Sequence, residues 1–148
     1  MLAKSFFLGV IAALCAAPAL AAETSPVGTW TTFTDDHKAK SHVEIFETGS
    51  TLGGKVTEIM ISDKGPNPVC DACDGDMHNK PVLGMQILRD FKKSGDDLWE
   101  GGTCLKPANG KLYKCKIHLI DGGKKLEVRG FIGFALLGET QVWERSTP

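Results

Sequence analysis

The clearest alternation in the chain runs from Leu112 to Leu119. Tyr113, Cys115, Ile117 and Leu119 fall on one side, and Lys114, Lys116 and His118 on the other. A period of two predicts a strand with one face on a core and the other in water. Ser41 to Glu47 repeats the pattern, with Val43 and Ile45 opposed to His42 and Glu44. Gly28 to Thr34 is rich in threonine and aromatics, which suit a pleated surface. Leu52 to Ile61 carries Gly53-Gly54, a pair that marks a bulge or bend. Asp97 to Leu105, Lys125 to Gly130 and Thr140 to Arg145 are three further strand segments. Pro81 to Phe91 is the least regular segment and is read as the remaining strand. No long stretch has apolar residues at helical spacing.

The turns between these segments set the topology. Asn109-Gly110 and Asp121-Gly122-Gly123 are strong hairpin signals, and Lys93 to Asp97 is a weaker one. Strands joined by tight turns lie beside their sequence neighbours. The expected fold is therefore all-β, an eight-stranded antiparallel meander, and closure into a barrel removes its exposed edges. Ser62 to Lys80, rich in Asp, Gly, Pro and Asn, is the one long connection. No internal repeat or linker divides the chain.

The first residues read differently. One lysine precedes an apolar run that ends before Ala19-Leu20-Ala21, the small-x-small pattern of a signal-peptidase site. The run is too short for a membrane span, which needs about 20 apolar residues. Leu14 stands before Cys15 where lipidation wants a small residue. The expectation is a leader at 1–21, cleaved after Ala21 or one residue later, and a single domain at 22–148 with no transmembrane anchor. The location would be periplasmic or secreted. The whole chain has 17 Lys and Arg against 18 Asp and Glu, and the leader takes away one lysine. With no basic excess or basic run, nucleic acid is not an expected partner.

Four cysteines remain after the leader: Cys70, Cys73, Cys104 and Cys115. An oxidising compartment favours pairing, and three pairings are open. A two-residue turn at Asn109-Gly110 would set Cys104 across from Cys115, within disulfide reach. A longer turn containing Pro107 would shift that register and spoil the pairing. Cys70 and Cys73 would then pair locally or stay reduced. A redox role for Cys70-Asp71-Ala72-Cys73 is disfavoured, because Asp71, Asp74 and Asp76 would raise a thiol pKa. The cysteine spacing lacks the second close pair of a zinc site, and the aspartates lack EF-hand spacing. No metal or cofactor is expected.

No local catalytic motif is present. His37, His42, His78 and His118 are scattered, and there is no nucleophile elbow, zincin motif or phosphate loop. Catalysis is the least favoured class. The run "GFIGFALLGET", Gly130 to Thr140, has two readings: a core-facing bend that fills the barrel, or an apolar lip at its mouth.

Gly28-Thr29-Trp30 at the start of the first strand resembles the Gly-x-Trp of lipocalin-like barrels. In those barrels the tryptophan plugs the closed end and a basic residue of the last strand packs on it. Arg145, in "QVWER", is the matching candidate, and an arginine over an indole face is a sound cation–π pair. More broadly, "GKVTEIMI", "CDACDGD", "NKPVLGMQIL", "WEGG", "KPANGKLYKCKIHL" and "LEVRGFIGFALLGETQVWER" resemble domain of unknown function 2147, small secreted bacterial proteins. The resemblance implies an extracytoplasmic lipocalin-like barrel and supplies no catalytic or binding residue. Two positions depart from the family. Cys104 stands where an aliphatic residue is usual, which supports a partnership with Cys115. Glu139 stands where a basic residue is common, which weighs against anion binding there.

The expectation for function is a small hydrophobic molecule held in the barrel. Trp99 and Tyr113 would line the cavity, with Phe131, Phe134 and Leu136 near its mouth. Trp30 and Arg145 would form the plug. The alternative is a protein-interaction module, an inhibitor or envelope-stress factor, with a side-chain-filled barrel.

Overall fold

In the computed structural model, residues 23–133 and 137–147 are described. The leader expected at 1–21, and with it the domain boundary, lies outside them. Eight strands form in sequence order: β1 (Gly28–Phe33), β2 (Ala39–Thr48), β3 (Thr51–Ile59), β4 (Gln86–Gly95), β5 (Leu98–Lys106), β6 (Lys111–Ile120), β7 (Lys125–Phe131) and β8 (Gly138–Arg145). Each pairs antiparallel with the next, and β1 pairs with β8 to close the barrel. The expected meander and its closure are what the chain adopts.

Side-chain alternation builds the interior. Val43 and Ile45 of β2, Cys115, Ile117 and Leu119 of β6, and Leu126 and Val128 of β7 all point inward and join one core. The period of two breaks on β4 and β5, and the cause is visible in the backbone. Asp90 and Gly101 take left-handed φ values of 62° and 76°. The ladder slips at the β5 position, between Trp99 and Gly102. Leu88 and Phe91 therefore both face the core three residues apart. Gly102 lies against the Phe91 ring, and a Cβ there would sit 2.5 Å from it.

Two expectations are corrected along the open rim. First, β4 begins at Gln86 rather than Pro81, because Pro81 and Val82 pair back onto Val69 and Pro68 of the long connection. Val69 bridges Pro81, and the Cys70 amide donates to Lys80 O at 2.9 Å. Second, the β5–β6 turn has four residues, not two. Lys106 pairs with Lys111, and the Gly110 amide donates to Lys106 O at 2.8 Å. Cys104 thus lies opposite Tyr113, and Gly102 opposite Cys115. The longer turn does not prevent the crosslink. Cys104 and Cys115 bond diagonally, on one face of the hairpin, with Cα atoms 5.7 Å apart.

Cys70 and Cys73 form a second disulfide, Cα to Cα 5.3 Å. Both are buried, in a small satellite core with Met85, against which Met77, Ile87 and Leu105 pack. The acidic side chains around them stay exposed. This satellite core fixes the long connection against the β4–β5 side of the rim. Gly110 touches it so closely that a Cβ would lie 1.9 Å from Ala72 O.

Candidate functional site

The two ends of the barrel are chemically distinct. At one end the β2–β3, β4–β5 and β6–β7 turns meet the segment before β1. Trp30 is fully buried there, and its indole N–H donates to Pro26 O at 2.8 Å. The Arg145 guanidinium lies 4.4 Å from the Trp30 ring centroid. Its Nε donates to Gly123 O at 2.8 Å, Nη1 to Val27 O at 2.9 Å and Nη2 to Ser25 O at 2.7 Å. Each branch of the planar fork thus meets a carbonyl from the turn or the entering segment. Burial pushes the Arg145 pKa down from its ordinary value, with the Glu23 charge acting in the opposite sense. The glycine of Gly-x-Trp is required on two counts. Gly28 has φ 135°, and a Cβ would meet Arg145 Nη1 at 3.0 Å.

The other end holds a cavity of about 470 Å³ that opens to solvent. Its inner wall is Val56, Leu88, Val128, Trp143 and the Cys104–Cys115 crosslink. Pro68, Val69 and Val82 of the long connection form part of the wall near the opening. Tyr113 lines it too, and its hydroxyl oxygen accepts from Asn109 Nδ2 at 2.8 Å. Lys106 and Glu139 reach toward each other across the mouth, from β5 and β8, with N to O at 3.8 Å. Lys64 also borders the mouth. Its ammonium pairs with Asp71 and holds that carboxyl below the usual aspartate range. Thr32 and Ser41, both in the wall, satisfy each other through their hydroxyls at 2.7 Å. Among the described residues, every buried side-chain nitrogen and oxygen has a partner; the inner wall is mostly carbon and sulfur, and polar side chains such as Lys40, Asp63 and Gln141 join the lining.

Of the residues singled out from sequence, Tyr113 is in this wall. Trp99 is not. It follows the β4–β5 turn and therefore sits at the closed end, with the Lys93 ammonium 5.6 Å from its ring. Phe131 ends β7 at the open end of the barrel but is outside this wall. Leu126 and Val128 set the inward parity of β7, which turns Phe131 outward, packed beside Gly138. Phe134 and Leu136 lie outside the described residues. Their neighbours Ile132 and Leu137 are exposed, so at those two positions the run does not face the core. Sequence reasoning missed Val56, Leu88, Val128 and Trp143. The usable signal was inward parity combined with distance from the open-end turns.

Among the described residues, no three His, Cys, Asp or Glu side chains are grouped to hold a metal ion. No helix there is long and apolar enough to cross a membrane.

Residues 28–145 match the family described as "Uncharacterized protein conserved in bacteria (DUF2147)". The chain belongs to the DUF2147 family. Among solved structures, this DUF2147 chain is similar to protein HP1028 of Helicobacter pylori, described as belonging to the lipocalin family. The two share 20% identity with a TM-score of 0.73, over 84% of this chain and 85% of that one. At that identity the likeness speaks for the fold alone: this DUF2147 barrel is lipocalin-like. A search of the curated proteins found no match.

Proposed function

We propose that the protein is an extracytoplasmic binding protein that holds a small hydrophobic molecule in the open half of its barrel. The observation that carries this reading is the open cavity of about 470 Å³, within the range of about 300–1,000 Å³ usual for ligand sites. A lipocalin-like architecture fits the same role, a binding role rather than a catalytic one. Tyr113, Val56, Leu88, Val128 and Trp143 are the proposed contact residues. Trp30 and Arg145 are assigned to the structural plug and take no part in binding. The leader at 1–21 delivers the chain to the oxidising side of the membrane, where the two disulfides are at home. A barrel packed solid, as the interaction-module reading requires, is hard to square with this cavity.

The test is native mass spectrometry of protein isolated from its own cells, paired with titration of an apolar fluorescent probe such as N-phenylnaphthylamine. The wild type should carry a small molecule or bind the probe. Val128→Trp, which fills the cavity from its wall, should lose at least tenfold in probe affinity while keeping its β-sheet circular dichroism. A wild type that holds nothing, or a filled variant that binds equally well, would sink the proposal.

A further inference from the structure

The large aliphatic side chains that remain most exposed are not scattered. Leu83, Leu112, Ile132 and Leu137 are 55%, 61%, 63% and 73% exposed, and all four stand at the open end. Three of them share one corner of the rim. Leu112 opens β6, while Ile132 and Leu137 follow β7 and precede β8. Below them, on the outer face of the same strands, the ladder sets Lys114 beside Phe131 and Lys116 beside Arg129. Lys111 stands at the start of β6. Among the described residues Lys114 and Lys116 have no carboxylate partner. The nearest acids are engaged otherwise: Glu127 faces His118 at 3.6 Å, and Glu139 turns to Lys106 across the mouth. The acidic connection packs on the β4–β5 side through Ile87 and Leu105 and touches the β5–β6 turn at Gly110, where the Asp71 carboxylate is taken by Lys64.

We propose that this corner docks the barrel on an anionic lipid surface, with Leu112, Ile132 and Leu137 in the acyl boundary and Lys111, Lys114, Lys116 and Arg129 at the headgroups. An aliphatic tip ringed by cations is the chemistry of interfacial membrane binding. A protein partner is the less apt occupant. Protein interfaces favour Tyr, Trp and Arg and are poor in Lys, and leucine is under-represented among their hot spots. The docking goes beyond the binding role proposed above and does not depend on it. Its geometry has a consequence for that role: the cavity opens at the same end, so a docked barrel presents its mouth toward the bilayer.

Cosedimentation of the full chain with vesicles tests the proposal. The vesicles are phosphatidylcholine alone or phosphatidylcholine mixed with phosphatidylglycerol. Binding should be at least tenfold tighter to the anionic vesicles and should weaken as salt is raised. Reversing both lysines, Lys114→Glu with Lys116→Glu, should cost roughly twentyfold or more, since each cation near an anionic surface contributes about fivefold. Leu112→Ser with Leu137→Ser should lose binding to a similar degree. Val27→Ser, at the closed end, should change nothing. Val128→Trp should keep vesicle binding whatever it does to the cavity, which separates failure of this proposal from failure of the ligand reading. No binding to either vesicle, equal binding to both, or equal binding by all variants would overturn it.

Discussion

Arg145 is the residue on which the closed end depends. A surface arginine contributes little, because water competes for its donors. This one is half-buried, stacked on Trp30 and bonded to three carbonyls. Charge-assisted bonds of that kind contribute about 1.5–3 kcal/mol each when considered singly, and removing one side chain takes away several that share its desolvation. Arg145→Ala should therefore lower unfolding stability by about 3 kcal/mol in urea titration, with the slope unchanged. Arg145→Lys should recover little, since a single ammonium cannot span Gly123 O, Val27 O and Ser25 O in a fixed fork. A loss below about 1 kcal/mol for the alanine variant would show that the stack and its bonds are incidental. The sequence carried much of this. Gly28, Trp30 and Arg145 were identifiable through the resemblance to lipocalin-like barrels, but the bonds to Ser25 and Val27 were not. Those depend on where the entering segment crosses the barrel floor, and no periodicity records that.

Strands were more legible than the joints between them. Where the period of two is unbroken, as in β2, β6 and β7, the inward face reads directly from sequence. Where a left-handed residue inserts, it does not. Asp90 puts Leu88 and Phe91 on one face, and a pattern search takes that spacing for irregularity. The same limit explains Trp99: alternation reports the face of a strand, while depth along the barrel needs the turns assigned to their ends. The β5–β6 hairpin shows what turn length decides. Asn109-Gly110 suggested two residues, yet Pro107 starts the turn and the register moves so that Cys104 meets Tyr113. The crosslink survives because Cys104 and Cys115 remain on the same face. Its loop is longer than that of Cys70–Cys73, so chain entropy assigns it the larger share of stability. Cys104→Ala with Cys115→Ala should cost about 3 kcal/mol, and Cys70→Ala with Cys73→Ala about 2 kcal/mol from chain entropy alone. Denaturation of the two double variants checks the order, and an intact-mass comparison with and without reductant should count two bonds. Four free thiols, or a reversed order after allowing for the satellite core, would contradict this account.

The whole molecule is a closed sheet with unequal halves. Toward the plug, Trp30, Val43, Phe91, Ile117 and Leu126 fill the interior with almost no exposure, so opening there must break packing and ladder together. Toward the mouth the same strands surround open volume, and the long connection is held by its own small core. Local stability should follow that division, because regions with fewer buried contacts open below the global free energy. In native-state hydrogen exchange, the amides of β6 and β7 next to the plug should open only with global unfolding. Those of Lys111 to Tyr113, Gly138 to Thr140 and the long connection should exchange through smaller openings. A ligand that fills the cavity stabilises only the states in which the walls are assembled. It should therefore slow exchange at the mouth while leaving the plug-side amides tied to the global limit, which itself rises with ligand concentration. Uniform protection along β6 would mean that the hollow half is as cooperative as the filled one. Ligand-induced protection centred on the plug would place the binding site at the wrong end of the barrel.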